Sequence, residues 1–327
     1  MSHRARGATL IEAMIGVAIF SFMAYCVYAL VGSTVTLSVH SQAWGQLTEW
    51  TQQGVNKVSG ELPMARRIFR NDAQGNLYLG ALEPPVDYPV LGGVKLPVPR
   101  DLGTFRADAA GDEQTGNALL FCKQQPVFQT TLIAGPMRRI DVYTLVFFYP
   151  SAVNVSMGPY TRSLLLARWE SIEFGDYLEV SGLAAGEKAE VVRNLYADRG
   201  IRYLWDVAQD PDQAFYGIDN FGTVDAVPIL SFNPPGDSNR SVIAALGLGR
   251  SSLSWNRTSQ TWIPEQVPLY AIADATGDGF PHGFEVQIIG PTGSRTILIR
   301  LSIARYVELD QSMDAFSAAA IANGREF

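Results

Sequence analysis

The pattern of hydrophobic and polar positions divides the chain into a long uncharged run, a helical stripe and a β-rich remainder. No charged residue occurs in the 27 residues from Ala13 to Val39. A bilayer core needs about 20 apolar residues in a helix, so this run predicts one transmembrane helix. Beyond it, hydrophobic positions recur every three or four residues, at Trp44, Leu47, Thr51, Val55, Val58 and Leu62. This spacing is typical of one helix face, and Pro63 is expected to end the helix.

We therefore expect one continuous helix from Ala8 to Leu62, about 80 Å long. Residues 8–39 would form its transmembrane half. Residues 40–62 would form an amphipathic half, which buries the hydrophobic stripe against a globular head made of residues 63–327. The predicted fold class is α+β, with a long N-terminal α-helix packed on a mainly antiparallel β head.

The head is predicted to be β-rich because it contains short runs of β-branched and aromatic residues bounded by Gly, Asp or Pro. These runs are Ala118–Lys123, Arg139–Tyr149, Ser163–Trp169, Val191–Tyr196, Ile201–Val207, Val227–Phe232, Phe284–Ile289 and Thr296–Tyr306. The last two flank the turn residues 290–294 and predict a hairpin. The small-residue tail after Asp310 favours a weak helix, and the Gly- and Ser-rich stretch 236–249 suggests a division of the head into two lobes.

Composition and charge exclude several classes of function. The chain of 327 residues is 47% hydrophobic, which supports a packed core, and its net charge is −7. This acidic balance argues against nucleic acid as a partner, because binding to phosphates depends on basic residues. With three histidines, two cysteines and no catalytic motif, an enzyme is not expected. Cys26 lies in the apolar run and Cys122 in a predicted strand, so no disulfide is expected within the head and Cys122 should be a buried small hydrophobe.

The residues before the apolar run limit what it can be. Arg4 and Arg6 make the N-terminus basic, which predicts that it stays in the cytoplasm and that the head lies outside. A secretory signal peptide has an apolar region of about 7–15 residues followed by a small-residue cleavage site, whereas here Gly7 and Ala8 precede a longer run. An ordinary membrane anchor explains the length but not Glu12, since a carboxylate costs about 2.5–3.5 kcal/mol at the centre of a membrane helix.

The segment Gly7-Ala8-Thr9-Leu10-Ile11-Glu12, followed by an apolar helix, resembles the leader and N-terminus of type IV pilins and pseudopilins. The resemblance covers about the first 60 residues. It implies that a prepilin peptidase removes the leader peptide 1–7 by cutting after Gly7, and that Ala8 then becomes an N-methylated first residue. It also implies that Glu12 is the family's assembly glutamate, and that the subunit resides in the inner membrane and contacts other pilins or pseudopilins through its N-terminal helix.

A physical reason supports this role for Glu12. In a stack of parallel helices, the amine of one subunit is a cation in a place of low dielectric constant. A carboxylate on the neighbouring helix neutralises it, and a buried pair costs less than either charge buried alone. The remaining interpretation is a glutamate whose side chain simply extends to the lipid headgroups.

The large head and the absence of a disulfide-closed C-terminal loop argue against a major pilin, and the size of the head is similar to that of the large minor pilins of the PilW type. This similarity implies a structural subunit, a minor pilin or pseudopilin, that helps initiate or cap a type IV pilus-like or type II secretion-like filament. The alternative is a membrane-tethered, adhesin-like β-domain that binds a ligand and uses the pilin leader only for delivery.

One stretch of the head has the ligand spacing of a calcium loop of the EF-hand type. Its oxygen ligands fall at loop positions 1, 3, 5, 7 and 12, namely Asp274, Thr276, Asp278, the Phe280 carbonyl and Glu285. Gly279 occupies position 6, where the loop turns sharply. The sequence therefore predicts a possible Ca²⁺ site, with an Asp- and Gly-rich hairpin turn as the alternative.

Overall fold

The computed structural model describes residues 10–81, 95–105, 114–133, 135–153, 163–207, 209, 213–227, 253–256, 261–264, 283–307 and 312–324. The protein consists of one long helix followed by a head in which almost all strand pairs are antiparallel. The α+β class expected from the sequence is confirmed.

Helix α1 (Leu10–Glu61) has 52 residues and is therefore about 78 Å long. A short 3-10 turn that contains Pro63 follows it directly, so the predicted end of the helix is confirmed. The predicted first helical residue, Ala8, lies outside the described residues. Every side chain from Leu10 to Val35 is exposed, which divides the helix into an exposed half and a half that packs on the head.

The head contains thirteen described strands and three described helices. The strands are β1 (Ala65–Phe69), β2 (Leu119–Thr131), β3 (Met137–Val153), β4 (Ser163–Glu170), β5 (Phe174–Asp176), β6 (Tyr203–Trp205), β7 (Phe215–Ile218), β8 (Val224–Val227), β9 (Leu253–Asn256), β10 (Thr261–Pro264), β11 (Phe284–Ile289), β12 (Arg295–Val307) and β13 (Ser312–Gly324). The helices are α2 (Ala73–Ala81), α3 (Tyr177–Ser181) and α4 (Ala185–Arg199).

These strands form two larger sheets and one hairpin. The first sheet has the order β1-β2-β3-β5-β6-β7-β8, with β4 also paired to β3, and only the β5–β6 pair is parallel. The second sheet has the order β11-β12-β13, and β9 pairs with β10. Isolated bridges at Arg100–Ile289 and Gly116–Val286 tie β11 to the segments that precede β2.

The main core lies where α1 meets both sheets. Leu47, Val55 and Val58 from the helix share one buried cluster with Phe121 and Phe148 of the first sheet. The same cluster includes the inward-facing residues of β11 and β12. The second half of α1 is thus a structural part of the head.

The predicted helical stripe is confirmed at five of its six positions. Leu47, Thr51, Val55, Val58 and Leu62 are all buried. Trp44, in contrast, is 46% exposed. The stripe begins instead at Ala43 and also includes Trp50, which lie four residues before and three residues after Leu47 and so on the same helix face.

The tail after Asp310 is a strand, and the prediction of a helix there was wrong. β13 pairs with β12 along its whole length, from Ser312 opposite Val307 to Gly324 opposite Arg295. Alanine favours helices in isolation, but tertiary packing decides here. The side chains of Phe316, Ala318, Ala320 and Ala322 alternate with exposed neighbours and pack on the main core.

Val191–Tyr196 was predicted to be a strand, and it lies in helix α4. Its buried residues Val191, Val192 and Leu195 have the spacing of one helix face and pack in a separate cluster with Phe128 and Ile140. Two adjacent valines favour a strand by propensity, and burial of a helical face outweighs that preference.

The other predicted strands that the structure describes are present, although Ile201–Val207 is reduced to β6 (Tyr203–Trp205). The hairpin β11–β12 has the predicted first strand, and its turn contains Gly290 at φ 109° and Gly293 at φ 91°. Cys122 is buried and both cysteines are free. Burial raises the pKa of the Cys122 thiol well above its ordinary value, as expected of a structural cysteine. The suggested lobe boundary at 236–249 and most of the predicted strand Val227–Phe232 lie outside the described residues.

Candidate functional site: the apolar helix and its attachment to the head

The exposed half of α1 is the most prominent functional feature of the described residues. It is long and apolar enough to cross a membrane, and none of its apolar window is buried against the rest of the chain. Large side chains such as Phe20 and Tyr28 are more than two-thirds exposed. An apolar surface of this extent is typical of a membrane or protein contact, so this half of the helix is a candidate membrane-spanning segment.

Glu12 lies in the first turn of this exposed half. A carboxylate near a helix N-terminus is stabilised by the helix dipole. The position therefore combines an acidic group with an apolar surface. The predicted cleavage residues Gly7 and Ala8 lie outside the described residues, so cleavage and N-methylation stay predictions.

The helix leaves the head beside the first half of β13. Nδ1 of His40 lies 2.7 Å from Oδ2 of Asp314. One turn further along, the rings of Trp44 and Phe316 meet edge to face, with 5.9 Å between their centroids. The last described strand of the chain therefore helps to fix the place where the apolar half emerges.

A buried ion pair fixes the other end of the packed half. Glu61 and Arg168 are each 5% exposed. Nε of Arg168 donates a hydrogen bond to Oε1 of Glu61 at 3.0 Å, and its NH2 group donates to Oε2 at 2.9 Å. A bidentate pair of this kind is both strong and geometrically specific, so it joins the last turn of α1 to strand β4.

Further groups extend this ion pair into a network. Arg168 also pairs with Glu170 at 2.5 Å, and Lys123 lies 3.4 Å from Glu61. Gln125 and Thr144 each donate a hydrogen bond to Glu170. Burial by itself would raise the pKa of Glu61, but the hydrogen bonds and charges of Arg168 and Lys123 outweigh burial and hold that pKa below its ordinary value.

The sequence analysis did not predict this ion-pair network, although the position of Glu61 in the helix indicates one. Glu61 lies on the buried face of the helix, between Val58 and Leu62. A carboxylate in that position requires a cationic partner. The identity of the partner could not be read from the sequence, because Arg168 is 107 residues away.

Only one of the five predicted calcium ligands is described. Glu285 lies in β11, where it pairs with Arg300 at 3.3 Å and accepts a hydrogen bond from Gln287. Asp274, Thr276, Asp278 and Phe280 lie outside the described residues. Within the described ranges, no three His, Cys, Asp or Glu side chains are close enough to hold a metal ion. The calcium site stays a prediction. In this structure Glu285, the predicted ligand at loop position 12, forms an ion pair with Arg300.

No protein-family model matches this chain, and no curated protein sequence or solved structure matches it either. The functional interpretation therefore depends on the residues and on the geometry described above.

Proposed function

We propose that this protein is a structural subunit of a pilin-like filament, namely a minor pilin or pseudopilin, and not an enzyme. The observation that carries the proposal is the bipartite helix. Its first half is apolar, exposed and begins with Glu12 in its first turn. Its second half packs one face on the head and is held by an ion pair near each end. In a protein built in this way, the head holds the exposed apolar half of α1 in a position where it can pack against other subunits.

In this proposal, α1 spans the inner membrane before assembly. The basic residues Arg4 and Arg6 favour a cytoplasmic N-terminus, which places the head on the opposite side. A prepilin peptidase cuts after Gly7 and frees the amine of Ala8, which is then methylated. The apolar half next leaves the lipid and packs among the same halves of neighbouring subunits, so that its hydrophobic surface stays covered throughout.

Glu12 directs this transfer electrostatically. An amine at the start of one helix and a carboxylate at the start of the next are both costly to bury alone in apolar surroundings, and they stabilise each other when paired. Pairing in trans therefore favours one axial register between subunits. The large head is consistent with a subunit that initiates or caps a pilus-like or secretion-like filament.

The test compares Glu12→Ala with wild type in the native cell. We expect membrane insertion of the variant to be unchanged or improved, because a charge is removed from an apolar segment. We expect its recovery in sheared or cross-linked filaments to fall by about tenfold or more, because a partner's amine is left unpaired. Glu49→Ala is the matched control, since Glu49 is an exposed carboxylate in the half of α1 that packs on the head.

Intact mass of the membrane-extracted protein completes this test. We expect the mature chain to begin at Ala8 and to carry one added methyl group. A mature N-terminus downstream of the apolar run would contradict the proposal. Wild-type incorporation of Glu12→Ala into filaments would contradict the role of Glu12 and would favour the alternative, a tethered binding module.

A further inference from the structure

A small cavity of about 220 Å³ opens on the head, and no residue of α1 lines it. Strand β1 forms one wall, through Arg67 and Phe69, and the segment that leads into α2 forms another, through Arg70 and Asp72. Val207 and Thr292 complete the lining from two distant parts of the chain. At about 30 Å³ per water molecule in the liquid, the cavity has room for a group of several heavy atoms.

The guanidinium of Arg67 is held in this cavity by neutral partners. NH1 donates to the carbonyl oxygen of Val207 at 3.2 Å, and NH2 donates to Oε1 of Gln74 at 2.8 Å. The group also lies over two aromatic rings, with its central carbon 5.2 Å from the centroid of Phe69 and 5.5 Å from that of Tyr78. These contacts fix the orientation of the cation.

No carboxylate of the described residues forms an ion pair with Arg67. This differs from Arg168 of strand β4, which is paired with two glutamates. A partly buried cation normally has an anionic partner, because burial of a single charge is costly. Arg67 is therefore preorganised by neutral partners, and it forms no ion pair with a carboxylate of the described residues.

The charges of the side chains that line the cavity indicate that its ligand carries a single negative charge. Arg67 and Arg70 contribute two positive charges, and Asp72 contributes one negative charge. Asp72 is committed elsewhere, because it pairs with Nε of Arg70 at 2.7 Å and accepts a hydrogen bond from the backbone N–H of Gly75. The excess of one positive charge fits a monoanion better than a doubly charged phosphate.

We propose that this cavity binds a carboxylate group, held by Arg67. The planar guanidinium fork matches a carboxylate in two parallel hydrogen bonds. Val207 in the lining is suited to contact the short carbon chain beside such a group. The carboxylate can belong to a free small acid or to the C-terminus of a peptide. Butyrate and triglycine are probes that distinguish these two sources.

The experiment measures thermal melting and calorimetric binding of the full-length protein in detergent. Butyrate is the small-acid probe, and butyramide is its uncharged counterpart of the same shape. Triglycine and triglycine amide form the matching pair for a peptide C-terminus. We expect the charged member of at least one pair to bind with a Kd below about 10 mM, and we expect neither amide to bind.

Two variants of Arg67 and one control connect binding to the cavity. Arg67→Lys keeps the charge but loses the planar fork, and we expect it to weaken binding by about tenfold. Arg67→Gln should abolish binding. Arg193→Gln should bind like wild type, since Arg193 is an exposed arginine on α4 that also bonds a backbone carbonyl. Circular dichroism and the melting temperature without ligand establish that each variant is folded.

Binding of butyrate supports a free acid, and binding of triglycine alone supports a peptide C-terminus. If no charged probe binds, or if folded Arg67→Lys and Arg67→Gln bind as tightly as wild type, the proposal is wrong. The filament role proposed above does not depend on this result.

Discussion

At the scale of single residues, the most consequential arrangement is the burial of Glu61 with Arg168 at the end of α1. Removal of either charge would leave the other in a place where water cannot solvate it, and loss of one member of a buried pair costs about 3–5 kcal/mol when no substitute is present. Here each member has a substitute, because Lys123 is close to Glu61 and Glu170 is close to Arg168. Substitution of one charged residue in this network therefore costs less stability than the same substitution in an isolated buried pair.

We predict that Glu61→Gln lowers the free energy of unfolding by about 1–3 kcal/mol near neutral pH. The pKa of Glu61 lies below its ordinary value of 4.5 in the folded protein. Its ionised form therefore stabilises the fold fully above that value, and this stabilisation is lost as the pH falls through the lowered pKa. The difference between wild type and Glu61→Gln should accordingly be present at neutral pH and narrow in acid.

Denaturant unfolding at a series of pH values checks this prediction. Glu49→Gln, on an exposed position of the same helix, should change stability by no more than about 0.5 kcal/mol. If the free energies of unfolding of wild type and Glu61→Gln differed by the same amount at every pH, the charge of Glu61 would contribute nothing to stability.

At the scale of secondary-structure elements, β13 shows how small side chains allow a helix to lie close to a sheet. Its inward-facing residues include Ala318, Ala320 and Ala322, which pack on the same core cluster as the stripe of α1. Gly324 continues this pattern, since a Cβ atom there would lie 2.6 Å from the Cδ1 atom of Ile68. Larger residues along this line would push the sheet and the helix apart.

We predict that Ala320→Leu destabilises the protein by about 1–3 kcal/mol, because added methylene groups overpack a filled core. Ala319→Leu is the matched control. It makes the same chemical change one residue earlier, on the exposed face of the strand, and should change stability by no more than about 0.5 kcal/mol. Melting temperatures of the two variants measure the difference, and equal values would mean that the inward face of β13 is not tightly packed.

At the scale of the whole molecule, α1 is shared between two environments. Its first half is exposed along its length, and its second half contributes buried residues from Ala43 to Glu61. The contacts at His40 and Glu61 hold the packed half at both ends. The direction in which the apolar half leaves the head is therefore set by the head, which suits a subunit that must align with its neighbours.

We predict that a chain beginning at Ser41 is soluble, monomeric and dominated by β structure, because it lacks the apolar half and keeps every buried residue of α1. A chain beginning at Gln52 should aggregate, since it also loses Leu47, Trp50 and Thr51 from the core. Far-UV circular dichroism and light scattering check both statements. A mainly helical spectrum for the Ser41 chain, or a stable monomer for the Gln52 chain, would contradict this account of the fold.

Local signals in the sequence predicted the features that depend on neighbouring residues. The uncharged run, the stripe from Leu47 to Leu62 and the stop at Pro63 follow from hydrophobicity, the helical period and the missing N–H of proline. The hairpin at Gly290 follows from turn chemistry. The cleavage residues and Glu12 were predicted by motif resemblance, and their roles stay predictions.

Only the tertiary structure decided the features that join distant parts of the chain. The alanine-rich tail becomes a strand because β12 offers it a partner and α1 covers it, and neither is visible in its own residues. Arg168 reaches Glu61, and the Arg67 cavity is closed by Val207 and Thr292, across separations of more than 100 residues. Sequence patterns report the preferences of short segments, whereas these contacts depend on which segments the fold brings together.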